Sequence, residues 1–297
     1  MIAVLIAALV IAHPRLGTPL PPVDRCYMIG ATDRAVTNVL VKGVSVPVYR
    51  TGAWVTTVDV VPGVTNVVPV VAGDEATVVR FFVAPRPRPR PGVTNVAPEK
   101  VYTKLAYAGD FPSVQPPGKT PAETVVWIDP GHGGPTDFGA WSPHCRKEKD
   151  ANLLLAEDFA AALTNRGYRV KLTRTTDAAL ALMERARRAH EEKADAFISI
   201  HHNAPAADGD VASVRYRSVY SWNPLGESLA RALAGRTEAR VLHANFAVTR
   251  SPEIPSVLVE ADFITHPEGE EAAFDAASRR ALAEDMAEGF AAWCVNR

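Results

Sequence analysis

Three apolar stretches of this chain each lead into a residue that can bind a metal or carry a proton. Val125-Val126-Trp127-Ile128-Asp129-Pro130-Gly131-His132-Gly133-Gly134 delivers His132 just past a strand-forming run. Phe197-Ile198-Ser199-Ile200-His201-His202-Asn203 delivers His201, and Val257-Leu258-Val259-Glu260 delivers Glu260. Imidazole and carboxylate are the donors of hydrolytic metal sites and also the common general acids and bases. Pro-Gly-His-Gly-Gly is poor packing material, and its glycines let backbone come close to a ligand. A carboxylate closing Val-Leu-Val is costly to bury unless it is paired or metal-bound. Glu148, in Lys147-Glu148-Lys149-Asp150, stands at the start of a helical pattern, where the helix dipole favours acids in any protein. His144, Cys145 and His202 are further donors by residue type. Successive strand residues face opposite ways, so His201 and His202 are not expected to share one metal. His202 is expected to support the site or to touch the substrate.

Such residues need a scaffold that gathers several strand ends. From Glu123 onward strands and helices alternate: a strand at Thr124–Ile128, a helix over Asp150–Arg166 with Leu155, Phe159 and Leu163 on one stripe, and a strand at Tyr168–Thr173. Asp177 is placed to cap a helix running to about Lys193. Ala196–Ile200 and Val214–Ser221 read as strands, Leu225–Ala234 as a helix, Ser256–Val259 as a strand, and Glu268–Cys294 as largely helical. This alternation predicts an α/β fold with a twisted, largely parallel sheet flanked by helices. Ligands of such sheets bind outside the carboxyl ends of the strands, where His132, His201 and Glu260 converge.

The first part of the chain has a different texture. Residues 23–84 hold Val-rich runs at Val36–Val41, Val44–Val48, Trp54–Val61, Val67–Val71 and Ala76–Val83, separated by glycine turns, which predicts a small all-β sandwich-like domain. The octet Pro62–Pro69 recurs as Pro91–Pro98, and a third Val-Thr-Asn-Val spans Val36–Val39. This is the reuse of one turn-plus-strand element. Pro85–Pro91 alternates Pro with Arg and predicts a polyproline spacer within a linker that extends to residue 122. The domain order expected is therefore 1–22, 23–84, 85–122 and 123–297. The β domain offers Tyr27, Tyr49 and Trp54 as aromatics for a wall polymer or an envelope partner, or it is a spacer.

The whole chain has 297 residues, with 32 Lys plus Arg against 33 Asp plus Glu and 47% hydrophobic residues. It can bury a large core, and its charge balance argues against a nucleic-acid partner. Ile2–Ala12 is too short for a stable membrane span but fits a signal-peptide core, with Val10 and Ala12 at the −3 and −1 positions of a cleavage site, although no Lys or Arg precedes it. Export to the periplasm or cell envelope is the expectation. It would permit at most one intrachain disulfide among Cys26, Cys145 and Cys294.

Taken in order, Asp129–Gly134, Glu148-Lys149-Asp150 before a helix, Thr173-Arg174-Thr175-Thr176-Asp177, Leu182 with Arg185, Ser199–Ala204, and Leu258-Val259-Glu260 before Phe263-Ile264 resemble the zinc-dependent N-acetylmuramoyl-L-alanine amidases. The resemblance covers about Thr124 to Trp293. It implies zinc held by His132, Glu148 and His201, with Glu260 as general base and then acid on the water that zinc activates. The reaction implied is cleavage of the amide joining N-acetylmuramic acid to L-alanine in peptidoglycan. It also places Arg250 near a basic substrate-contact position, and Asn203 beside His201 is a further candidate contact. Some family members insert an inhibitory helix between the segments carrying His201 and Glu260. The short stretch here predicts an open site. The alternatives are a related zinc amidase or peptidase on another envelope substrate, or a wall-binding protein without turnover.

Overall fold

The computed structural model describes residues 9–87, 118–251 and 253–295. Seven strands build the first unit: β1 (Val10–His13), β2 (Arg25–Ala31), β3 (Asn38–Val41), β4 (Val44–Pro47), β5 (Ala53–Asp59), β6 (Thr65–Ala72) and β7 (Glu75–Phe82). They pair antiparallel as two sheets, β1-β2-β5 and β4-β3-β6-β7. Alternation decides the inner face. In β6, Asn66, Val68 and Val70 are buried while Thr65, Val67 and Pro69 are exposed. Met28 and Trp54 from one sheet meet Val39, Val68, Val79 and Phe81 from the other. The β3–β4 hairpin turns through Lys42 and Gly43, both at positive φ (51° and 79°), the pattern of a tight turn matched to strand twist.

The sandwich takes in residues ahead of Val23. β1 pairs with β2, the buried Ala12 lies within it, and Leu20 bridges Val83. The expected cleavage point after Ala12 thus falls inside a strand of the sandwich, and Met1–Ala8 lie outside the described residues. Pro62–Pro69 forms the turn and first half of β6. Its copy at Pro91–Pro98, and most of the Pro/Arg spacer, lie outside the described residues. Trp54 and Tyr27 are buried and offer no aromatic face to a polymer; Tyr49 is half-buried. All three cysteines are free.

The second unit comprises β8 (Val125–Pro130), α1 (Glu148–Asn165), β9 (Arg169–Leu172), α2 (Leu182–Glu191), β10 (Ala196–Asn203), β11 (Ser218–Ser221), α3 (Pro224–Thr237), β12 (Arg240–His243), β13 (Ser256–Phe263), α4 (Pro267–Phe274) and α5 (Ala276–Val295). The sheet order is β12-β11-β13-β10-β8-β9, parallel except where β11 meets β13. The predicted α/β fold is therefore present, with a mixed sheet. Helices α1, α3 and α5 cover one face through Leu155, Phe159, Leu163, Leu229, Leu233 and Phe290. On the other face Trp127, Phe197 and Leu258 pack under α2 and the short turn Ala247–Thr249. No helix among the described residues is long and apolar enough to cross a membrane.

Three expectations are corrected here. Asp177 caps no helix: α2 begins at Leu182, because Asp177 is engaged by the Gly134 amide at 2.7 Å and by Lys149 Nζ at 2.5 Å. The strand expected at Val214–Ser221 is confined to Ser218–Ser221, since Arg215 is drawn out to Asp262 and Glu268. The helical run after Glu268 breaks at Asp275, whose extended backbone ends α4 and whose carboxylate accepts the Ser278 amide at 2.7 Å. β12, Arg240-Val241-Leu242-His243, had no predicted counterpart, its two apolar residues standing side by side without alternation.

Phe159 is fully buried at the centre of the α1–sheet interface. Phe159→Ala should cost about 3–5 kcal/mol of stability, read as a lower urea midpoint at unchanged slope. A loss below about 1 kcal/mol would contradict this packing.

Candidate metal centre

The carboxyl end of β8 is built as a rigid seat. Asp129 is fully buried and accepts hydrogen bonds from Thr173 Oγ1 (2.5 Å), Ser199 Oγ (2.8 Å) and Arg185 Nη1 (2.9 Å). Arg174, also buried, donates to the carbonyls of Pro130 (3.0 Å), Gly131 (2.9 Å) and Lys149 (2.7 Å), and Arg185 donates to the His132 carbonyl (2.7 Å). These guanidiniums satisfy carbonyls at the end of β8 and in the loop that follows it. They tie it to the start of α1, and so fix where His132 and Glu148 stand. His132 itself has φ 61°, a left-handed conformation that a non-glycine residue holds only when its surroundings enforce it.

Glu148 opens α1 and is 4% exposed. Its Oε2 accepts the Ala140 amide at 2.8 Å. Its Oε1 lies 3.0 Å from His201 Nδ1 and 3.2 Å from His132 Nε2. One donor atom from each of the three residues lies within 4.8 Å of the others. The opposite ring nitrogen of His132, Nδ1, is 2.6 Å from Asp137 Oδ1, which fixes the ring with Nε2 turned inward. Two glycines leave the room. A Cβ on Gly131 would stand 2.2 Å from His201 Nε2, and one on Gly139 would stand 2.3 Å from Glu148 Oε2 and 2.7 Å from His132 Cδ2.

The electrostatics follow from this geometry. Burial alone would lower the His132 pKa, but hydrogen bonds and charge from Glu148 and Asp137 outweigh it and raise it to about 9. Burial alone would raise Glu148, but the two imidazoles hold it well below the usual carboxylate range. Glu260 is in register with His201 across the β10–β13 pairing. Its Oε2 is buried with no hydrogen-bond partner among the described residues, and burial together with the nearby Glu148 charge pushes its pKa well above normal. Two imidazoles and a carboxylate within coordinating reach suit a divalent metal. Tetrahedral zinc at roughly 2.0–2.1 Å from its ligands spaces them about 3.3 Å apart.

A cavity of about 390 Å³ opens over these groups. His132, His201, Asp137 and Glu260 form its polar side, and Leu180, Leu182, Phe246 and Leu258 its apolar side. The segment between β10 and β13 folds as β11, α3, β12 and the turn Ala247–Thr249. Helix α3 packs on α5 and the sheet, leaving both imidazole rings partly exposed.

The sequence-derived contacts fare differently. His202 points to the opposite face of the sheet, where it is buried and its Nδ1 meets Asn152 Oδ1 at 2.8 Å; Asn152 in turn donates to the Gly131 carbonyl (3.2 Å) and Glu148 Oε1 (3.3 Å). His202 therefore does not reach the cavity, as strand alternation dictates. Arg250 is exposed and bonded to Asn245, and Asn203 caps its neighbour's amide, Ala204 N, at 2.8 Å. Neither lines the cavity. His144 pairs with Glu270 at 2.7 Å, away from the donor set, and Cys145 packs with the sandwich. Asp137 and Asn152 were not singled out in the sequence. The only signal for Asp137 is its place five residues after His132 in the glycine-bounded loop.

Two imidazoles and a carboxylate at the carboxyl edge of an α/β sheet make a candidate metal site with donors of the kind hydrolases use. Residues 126–292 match the family model described as N-acetylmuramoyl-L-alanine amidase. The amidase AmiA of Escherichia coli (strain K12) is 31% identical over 221 residues, covering 58% of this chain and 76% of AmiA. The probable cell wall amidase LytH of Staphylococcus epidermidis is 33% identical over 176 residues, covering 56% of this chain and 57% of LytH. The solved structure of the amidase AmiC2 of Nostoc punctiforme covers 59% of this chain and 98% of its own, at 31% identity and a TM-score of 0.54. The chain belongs to the N-acetylmuramoyl-L-alanine amidase family and is an amidase enzyme of that class.

Two outcomes follow from the site's geometry. Gly139→Ala should fold but lose most of its bound metal, read by elemental analysis beside circular dichroism; full metal content would show that the cradle is not tight. Metal binding must expel the proton that His132 holds below about pH 9. Affinity measured by chelator competition should therefore rise with pH from 7 to 9 and level off above. An affinity flat across that range would contradict the pairing of His132 with Glu148 and Asp137.

Proposed function

We propose that the chain is a zinc-dependent amidase that cleaves the bond between N-acetylmuramic acid and L-alanine in peptidoglycan. The observation that carries this reading is the juxtaposition of the His132–Glu148–His201 donor set with Glu260 on the adjoining strand, whose buried Oε2 has no hydrogen-bond partner among the described residues. Bound there, zinc would polarise the scissile carbonyl and lower the pKa of water to roughly 7.

The chain's own residues do the rest. His132, Glu148 and His201 hold the metal, and Asp137 keeps the His132 ring turned inward through Nδ1. The Glu260 carboxylate takes the proton of the attacking water and returns it to the departing amine of L-alanine. Its raised pKa suits a group that must both accept and release a proton. The apolar wall of Leu180, Leu182 and Phe246 accommodates the methyl groups on either side of the reacting bond. The partial exposure of His132 and His201 supports an open site without an inserted blocking helix.

The substrate places the enzyme in the periplasm or cell envelope, and export from an N-terminal signal remains part of this reading. Residues 123–297 act as the catalytic domain, and the β-rich unit ahead of the linker acts as a separate module. A non-catalytic wall-binding role is disfavoured because all four chemical positions are filled.

Glu260→Gln should keep its zinc and lose about 10²–10⁴-fold in activity, whereas His132→Ala should lose the zinc itself. The assay is mass spectrometry of stem peptides released from purified peptidoglycan with a free L-alanine amine, beside metal analysis of each variant. Wild-type release by Glu260→Gln would sink the assignment of Glu260. Zinc-free protein with chelator-insensitive release would sink the metal reading.

A further inference from the structure

Two buried polar atoms in neighbouring strands have no hydrogen-bond partner among the described residues: Oε2 of Glu260 and Oγ of Ser218. Ser218 opens β11 and stands directly across from Glu260 in the antiparallel pairing of β11 with β13. Directly opposed residues share a face and bring their Cβ atoms to about 4.5–5.5 Å. The face is the catalytic one. Two residues along, the next same-face pair is Tyr220 opposite Leu258, and Leu258 lines the cavity with Glu260. Ser218 is fully buried, so bulk water does not satisfy its hydroxyl.

Native interiors leave few polar groups unpaired, because each lost bond is costly. Here the two deficits are complementary. An ionised carboxylate only accepts, and a serine hydroxyl can donate. Arg185, the cation among the residues lining the cavity, is already held by Asp129 and by the carbonyls of Pro130 and His132. Three of its five N–H donors are used there, and Glu260 Oε2 receives none of the others among the described residues.

We propose that Ser218 is a positioning residue for Glu260: its hydroxyl donates to Oε2 of the ionised carboxylate, directly or through one buried water. The bond turns the other oxygen toward the cavity for proton transfer. It also favours the charged form, which the base needs, against the burial that disfavours it. This rests on the reading of Glu260 as the proton carrier.

The test compares zinc-loaded wild type, Ser218→Ala, Ser218→Thr, Glu260→Gln and the Ser218→Ala/Glu260→Gln double variant on purified peptidoglycan. Ser218→Ala should lower kcat about tenfold, the scale of one lost hydrogen bond to a charged group. KM and zinc content should stay at wild-type values. Ser218→Thr should restore the rate, and Ser218→Ala should cost nothing further on the Glu260→Gln background. If Ser218→Ala fails to fold, the nearly isosteric, weakly donating Ser218→Cys reads the same way. A Ser218→Ala kcat within twofold of wild type, or a full tenfold further loss on the Glu260→Gln background, overturns the proposal and leaves Glu260 in place. A fully active Glu260→Gln overturns both.

Discussion

A carboxylate can be held deep in a protein only if positive charge or hydrogen bonds meet it there, and Glu148 is the group around which this fold meets that condition. It sits at the first turn of α1, where the helix dipole already favours an anion. The Ala140 amide holds one oxygen, and two imidazoles face the other. Each of those partners comes from a different part of the chain. The seat of His132 is set by Asp129, Arg174 and Arg185, that of His201 by the central strand β10, and that of Ala140 by the loop between His132 and Glu148. The helix cap, the buried guanidiniums and the glycine loop are one arrangement that brings two bases to one acid.

Glu148 and Glu260 show how environment separates two like groups. Both are carboxylates close to His201. Glu148 is met by imidazoles and stays charged far below the ordinary range, while Glu260 faces Glu148's charge without a cation of its own and is pushed the other way. A divergence of that kind assigns roles: the low group is a fixed anionic ligand, and the high one is available to exchange protons. The difference lies in the His132 and His201 contacts made to Glu148, and not in residue type.

Much of this was legible in the sequence, for a physical reason. Apolar runs that end abruptly in His132, His201 and Glu260 record strands that end at a site, and the 3.6-residue stripe of Leu155, Phe159 and Leu163 records a helix on a sheet. Strand alternation separated His201 from His202. What escaped was set by tertiary contacts. Asp177 looked like a helix cap, but its partners, Lys149 and Gly134, come from elsewhere in the chain. β12, Arg240-Val241-Leu242-His243, has no apolar–polar alternation to mark a strand. β1 was hidden because Val10–Ala12 belongs to an apolar run that reads equally well as a signal core or a strand. Asp137 and Asn152 act through other residues, and nothing in their neighbours' types marks them.

The β sandwich adds a constraint that the catalytic fold lacks by itself. The family match begins at residue 126, yet the sandwich touches both loops that flank the donor set. Arg15 lies over Trp141 at 4.7 Å, and His144 bridges buried Glu270 (2.7 Å) to the Thr51 carbonyl (3.1 Å). The Tyr27 amide donates to Ala207, just past His201–Asn203, at 3.1 Å, and Val211 packs with Ile29 and Val55. Trp141 and His144 belong to the loop that carries Asp137, Gly139 and Ala140, the residues shaping the Glu148 pocket. A loop between two ligands must lose its freedom before those ligands can be held at 3 Å spacing, and ordering each residue costs about 1–2 kcal/mol of backbone entropy. Docking the sandwich on that loop in the folded chain meets part of this cost before any metal or substrate arrives.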